Sequence, residues 1–191
     1  MSRGPIGSGP NLLRNSGVVY TITGVGLSPA VPAGPSRREI SAGDIVMVDI
    51  PVLVQGYHAD QTRTYCVGKA KEEIISLYED LQIIADHLIA RIRPGISCRD
   101  IYRLAVEKAA ALGRQEEFQH FGGGRHSRLI GHGIGLELNE PPIPSEYDRS
   151  PVGEGYVIAL DLHMLDERLG VVKLEDMILV GEGGNEILTI S

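Results

Sequence analysis

Four carboxylates in this chain stand where carboxylates are costly. Asp49 lies in MVDIPVLV, with only apolar residues or proline within three positions on either side. Asp60 follows eleven residues later in YHADQTRTYCV, Asp161 sits in VIALDLHML and Glu175 in VVKLEDMIL. A carboxylate in an apolar strand costs several kcal/mol unless a cation or donors compensate it. Asp49 alone fits an ion pair with an arginine, or an edge strand facing water, at least as well as anything else. Four such acids in one chain fit a shared cation or cation pair more simply than four separate ion pairs. His132, between glycines in GHGIG, adds one imidazole that the backbone can bring close to a cavity. Four carboxylates and a histidine form an oxygen-rich ligand set. That set suits a pair of Mn(II), Fe(II), Co(II) or Zn(II) ions rather than a structural zinc, which prefers thiolates. Two such ions, bridged by two of the acids and a hydroxide, would activate water and polarise a carbonyl for hydrolysis.

Strands and turns must bring these residues together. Gly17–Thr23 is β-branched and strand-like, and Ser28–Ser36, with three prolines, is loop. Asp44–Val54 and Tyr57–Val67 read as a β-hairpin about Gln55-Gly56, which would set Asp49 and Asp60 side by side. Tyr156–Met164 and Val171–Val180 form a second acid-bearing strand pair, and Ile187–Ile190 a short closing strand. Between the pairs lie two amphipathic helices. The first, Lys71–Ile92, has apolar residues at steps of three and four and stops at Pro94-Gly95. The second, Ser97–Leu112, has Ser97 as its N-cap and Gly113 at its end. A Gly- and Pro-rich loop region begins at Gly122. The order implies an α+β domain, an antiparallel sheet with helices on one face. Strand parity puts His58 with Asp60 and His163 with Asp161, so each could approach the site, although solvent or a supporting position suits them better. Arg63 would either bind a substrate carboxylate or neutralise the acids.

Composition narrows the functional classes. The chain has 191 residues, 42% hydrophobic and 23% charged, with a net charge of -7. That mixture belongs to a folded domain rather than a disordered chain. The acidic balance, without a basic block, argues against nucleic acid or an anionic membrane as partner. No apolar run is long enough to span a bilayer. Two cysteines make no disulfide scaffold and point to the cytoplasm.

The motifs GDIVMVDI, GYHADQTRT, GHGIGLELNEPP and VKLED, from about Gly9 to the C-terminus, resemble the pita-bread metallopeptidases. This M24-type family holds methionine aminopeptidases, Xaa-Pro aminopeptidases and prolidases, with creatinase as a relative. The likeness is greatest to the Xaa-Pro aminopeptidase and prolidase branch. It implies a pita-bread catalytic domain over residues 1–191, N-terminally incomplete because the family's catalytic domain begins with helices that precede the first strand. It also implies hydrolysis of short peptides at the N-terminus by a hydroxide shared between two divalent metals. Asp49 would chelate one ion, His132 and Asp161 the other, and Asp60 and Glu175 would bridge them. His132, Glu175 and Asn139 would be the catalytic residues, and Asn139 and Arg63 would contact substrate. The partner would be a short peptide, and the oligomeric state is open between monomer and homodimer.

Three positions depart from the family pattern. Asp161 stands where the family usually has Glu, Asn139 replaces a histidine that helps bind substrate, and Ala33 falls where a second histidine is common. These losses leave two further readings open, a non-catalytic pita-bread module that binds peptide or protein and a creatinase-like hydrolase of a small molecule.

Overall fold

The protein is described by a computed structural model covering residues 4–15 and 21–189. In chain order its elements are β1 (Ile6–Ser8), a 3-10 turn (Gly9–Leu13), β2 (Ile45–Asp49), β3 (Val52–Val54), β4 (Tyr57–Ala59), β5 (Thr62–Cys66), α1 (Glu72–Ile89), α2 (Cys98–Ala111), β6 (Gly131–Gly133), β7 (Val157–Asp166), β8 (Gly170–Leu179) and β9 (Glu186–Ile187). Of the strand expected over Gly17–Thr23, residues 17–20 lie outside the described residues, and Thr21–Thr23 is not strand. The closing strand is confined to β9, and Ile190 also lies outside.

Every pairing in the main sheet is antiparallel, in the order β1-β2-β5-β8-β7-β6, with β9 added beside β8. The ten-residue β7–β8 ladder is its spine, with Asp161 opposite Glu175. Alternation along these strands sorts the side chains. Ile158, Leu160 and Leu162 on β7, with Val172, Leu174 and Ile178 on β8, join the main core with the apolar stripe of α1, which is Ile74, Leu77, Leu81, Ile84, Ala85 and Leu88. Asp161, Lys173 and Glu175 point to the other face.

Both helices form close to their expected limits. Helix α1 lies on β7 and β8, and α2 packs beside it. The Ser97 hydroxyl accepts the Asp100 amide hydrogen at 3.1 Å, satisfying one donor of the first turn of α2.

The early hairpin differs from expectation. Pro51 interrupts the run Asp44–Val54, because proline offers no amide to a ladder. Strands β3 and β4 then pair as a separate two-stranded sheet around Gln55-Gly56, where both residues have positive φ. Beyond the break β5 rejoins β2, and Asp49 lies opposite Thr62 rather than Asp60. Asp60 belongs to no strand, and its amide donates to Met177 Sδ at 3.1 Å.

Leu81 is fully buried at the centre of the α1 stripe. Leu81→Ala should therefore cost about 2–5 kcal/mol of stability, read as a fall in the urea midpoint. A change below about 0.5 kcal/mol, the range of a surface substitution, would mean that α1 does not cover the sheet in solution.

Candidate metal centre

Asp49, Asp60, His132, Asp161 and Glu175 all line one cavity of about 520 Å³ on the sheet face opposite α1. Asp49 comes from the end of β2, Asp60 from the break before β5, His132 from β6, Asp161 from β7 and Glu175 from β8. The five expected residues thus converge, and four elements of the sheet plus one chain break position them. Two glycines bring His132 in. A Cβ on Gly131 would sit 2.3 Å from the Ala159 carbonyl oxygen, and one on Gly133 2.6 Å from that of Glu140. Only glycine allows this short strand to press so closely on its neighbours.

A residue that the sequence reading passed over divides the cavity. Lys173 is fully buried, and its side chain enters the site from β8, two residues before Glu175 and on the same face. Its Nζ lies 2.5 Å from Asp49 Oδ2, 3.2 Å from Asp161 Oδ2 and 3.5 Å from Glu175 Oε2. The signal was in the sequence. A lysine inside GVVKLEDMIL is as anomalous as the acids, and its parity with Glu175 puts both on one face.

The remaining donors form a second group. One ligand atom from each of Asp60, His132 and Glu175 lies within 4.8 Å of the others. Asp60 Oδ1 and Glu175 Oε1 are buried with no hydrogen-bond partner. His132 Nδ1 lies 3.0 Å from the Gly133 carbonyl oxygen, which can accept only from a protonated Nδ1. Nε2 faces Glu175 Oε1 at 3.5 Å, where it is a donor when the ring is charged and a free lone pair for an ion when it is neutral. A histidine anchored through its far nitrogen and two unsatisfied carboxylate oxygens are a fitting donor set for a divalent ion. Glu175 is shared between the groups, because its Oε2 faces Lys173 Nζ at 3.5 Å, and the same oxygen accepts the Thr62 hydroxyl at 2.8 Å.

The charges follow this division. Burial, reinforced by Glu175 and Asp49, pushes Asp60 up to about 8. Burial also raises Asp161, to about 7, and Asp49, in both cases against the pull of Lys173. Burial acts upward on Glu175 as well, but Lys173, His132 and Thr62 outweigh it and hold that carboxyl at about 2. Burial disfavours the charged form of Lys173 and of His132, yet the surrounding carboxylates raise both. Glu175 and Lys173 are therefore the fixed charges of the site at neutral pH, and Asp60 retains a proton.

Other expected positions fall out differently. Asn139 is exposed and lines the same cavity. Ala33 is half-buried away from the cavity lining. Arg63 does not serve the site. It donates to Asp176 Oδ1 at 2.6 Å and to the Glu175 carbonyl on the helix-side face, because it alternates with Thr62 on β5 just as Asp176 alternates with Glu175 on β8. His163 is buried against Phe121, with ring centroids 5.0 Å apart. Burial and then Lys173 press its pKa down to about 3, so it stays neutral behind the lysine. The His58 amide donates to Gly135 O, and the residue does not line the cavity.

The chain is similar in sequence and in fold to known peptidases. A curated Xaa-Pro dipeptidase of Pyrococcus horikoshii is 34% identical over 170 residues, which are 88% of this chain and 46% of that protein. The solved prolidase from Pyrococcus furiosus superposes with a TM-score of 0.78 at 29% identity, covering 98% of this chain and 49% of that one. The N-terminal domain of the FACT complex subunit SPT16 from Eremothecium gossypii superposes with a TM-score of 0.75 over 96% of this chain and 39% of that one, but at 18% identity that is a likeness of fold alone. The fold is the pita-bread fold that the motifs led us to expect, and the chain spans about half the length of the curated relatives it matches. The model of metallopeptidase family M24 matches residues 11–182, and the chain belongs to that family.

Proposed function

We propose that this chain forms the catalytic part of a metal-dependent peptidase that removes the first residue of short peptides, with Xaa-Pro dipeptides as the leading substrates. The observation that carries this reading is the trio Asp60, His132 and Glu175, whose buried, unpartnered oxygens face one another in a cavity of peptide size. These three residues would hold a divalent ion. When bound, it would supply Lewis acidity, activating water and polarising a carbonyl.

The chain's own residues would do the rest. A wall of carboxylates attracts the ammonium group of a peptide N-terminus, which favours attack at the chain end over an internal bond. Pro51, Leu129, Leu138 and Ile143 give the cavity apolar sides against which a proline ring would pack. Asn139 can donate a hydrogen bond to a substrate oxygen from the rim, but it cannot carry a proton. Proton handling therefore falls to Glu175 or to water. A cavity of about 520 Å³ suits a dipeptide or a small tripeptide. The Xaa-Pro dipeptidase and prolidase names of the relatives support the same substrate class.

Two ions, the arrangement suggested by five ligating residues, would put the second on Asp49 and Asp161, the two acids that pair with Lys173. That same ion pairing favours one alternative, a peptide-binding module without turnover. The metal-loaded full-length protein should hydrolyse Xaa-Pro dipeptides. Glu175→Gln should lower kcat by roughly 10²–10⁴, whereas Asn139→His should raise kcat and leave metal affinity unchanged. Binding of the dipeptide without release of free proline, in protein shown to hold metal, would establish the binding module instead.

Metal binding should also depend on pH. Asp60 sits at about 8 when no ion is bound, far above an unfolded aspartate, so the metal-free fold holds a proton that the unfolded chain loses. The stability from that proton is complete below about pH 4 and is lost as pH rises through about 8. An ion must displace the same proton, so its affinity climbs over that interval. Glu175, at about 2, titrates below the range and adds no slope there. The gap in Tm between Mn(II)-loaded and chelator-treated protein should widen from about pH 5 to about pH 8. A constant gap would mean that Asp60 is not a ligand.

A further inference from the structure

Lys173 does more than neutralise a neighbour. An ammonium has three N–H donors, and here three carboxylate oxygens surround it, one each from β2, β7 and β8. Its backbone is pinned, because the Thr64 hydroxyl accepts from the Lys173 amide and donates to the Lys173 carbonyl oxygen, each at 2.8 Å. No part of the side chain reaches solvent, and neutral His163 lies opposite it on β7. Moving the charged end elsewhere would leave it in apolar surroundings.

The oxygens that Lys173 engages and those left over do not overlap. Asp49 Oδ2, Asp161 Oδ2 and Glu175 Oε2 face the ammonium. Asp60 Oδ1 and Glu175 Oε1 make no hydrogen bond, and His132 lies with them, its Nε2 3.5 Å from Glu175 Oε1. A second divalent ion on Asp49 and Asp161 would be left with their other oxygens and would sit beside a positive charge already 2.5 and 3.2 Å from the same two carboxylates. Asp161 adds to this. It is one methylene shorter than the Glu usual in the family and so leaves room for Nζ.

We infer that this centre takes a single divalent ion, held by Asp60, His132 and Glu175, and that the Lys173 ammonium permanently occupies the place of a second cation against Asp49 and Asp161. The inference rests on the metal-dependent reading proposed above, but it concerns how many ions bind rather than what they catalyse.

Counting ions tests it without reference to activity. Full-length protein, stripped with chelator, is dialysed against excess Mn(II) and its metal is measured per chain, with circular dichroism to verify the fold. Wild type should hold one ion per chain, and its Mn(II) resonance spectrum should stay that of an isolated ion at every loading. Lys173→Met, close in volume but uncharged, should rise towards two ions and show a spin-coupled pair. Asp60→Asn should lose the ion, whereas Asp49→Asn should keep it. Two ions on wild type, or a coupled spectrum from it, would overturn the single-ion centre and leave the metallopeptidase reading standing. A folded wild type that holds no ion overturns both. A Lys173→Met protein that folds and still holds one ion removes the lysine from its assigned role. If that variant does not fold, the wild-type count and spectrum still decide the number of ions.

Discussion

Buried negative charge is the constraint around which this domain is organised. Four carboxylates from different parts of the chain are gathered on one face of the sheet, all nearly shut off from solvent. Like charges at this distance cannot all remain ionised without cations among them. Lys173 supplies one internal cation and so fixes Asp49, Asp161 and half of Glu175. A lysine buried this way contributes little net stability while paired. Its loss would leave carboxylates stranded, which is the expensive outcome for buried ion pairs. The lysine is therefore part of the frame of the site as much as of its chemistry.

The sheet keeps two kinds of electrostatics apart by parity alone. On β5 and β8, Thr62 and Glu175 turn into the cavity while Arg63 and Asp176 turn the other way and pair with each other. The Arg63 guanidinium, which could have neutralised the acids, is thus spent on the helix-side face. The cavity thus receives no guanidinium, and the Arg63–Asp176 pair ties β5 to β8 where only one residue pair, Thr62 and Glu175, is in ladder register. A one-residue slip of either strand would invert both faces at once, so the ion pair outside and the hydrogen bond inside specify the same register.

Much of this was legible in the sequence, for identifiable reasons. The helices announced themselves through apolar steps of three and four and through Ser97, because a helix is specified locally. The convergence of Asp49, Asp60, His132, Asp161 and Glu175 was legible because each violated the rule that apolar strands exclude charge. What was not legible depended on register. Pro51 was visible, yet the run MVDIPVLV still read as one strand, and the break moved Asp60 out of the ladder and Asp49 opposite Thr62. Arg63 looked like a substrate contact because one strand read in isolation does not say which parity faces a cavity. Lys173 was missed because the acids drew the reading, although a lysine in an apolar strand breaks the same rule.

Asp161 and Lys173 act as one unit, with Nζ 3.2 Å from Asp161 Oδ2. A glutamate at position 161 would carry its carboxylate about 1.5 Å further into the cavity, towards the position of Nζ, which already lies 3.2 Å from Asp161 Oδ2. Neither residue is comfortable alone. An aspartate without the lysine would be a buried acid beside the Thr21 hydroxyl, 3.4 Å away, with no cation as close as the ammonium among the described residues. A lysine facing a glutamate would be crowded out of its contact with Asp49. The feature that looks in the sequence like the erosion of a ligand set is, in the folded chain, a complete and internally satisfied ion cluster next to an open three-residue site.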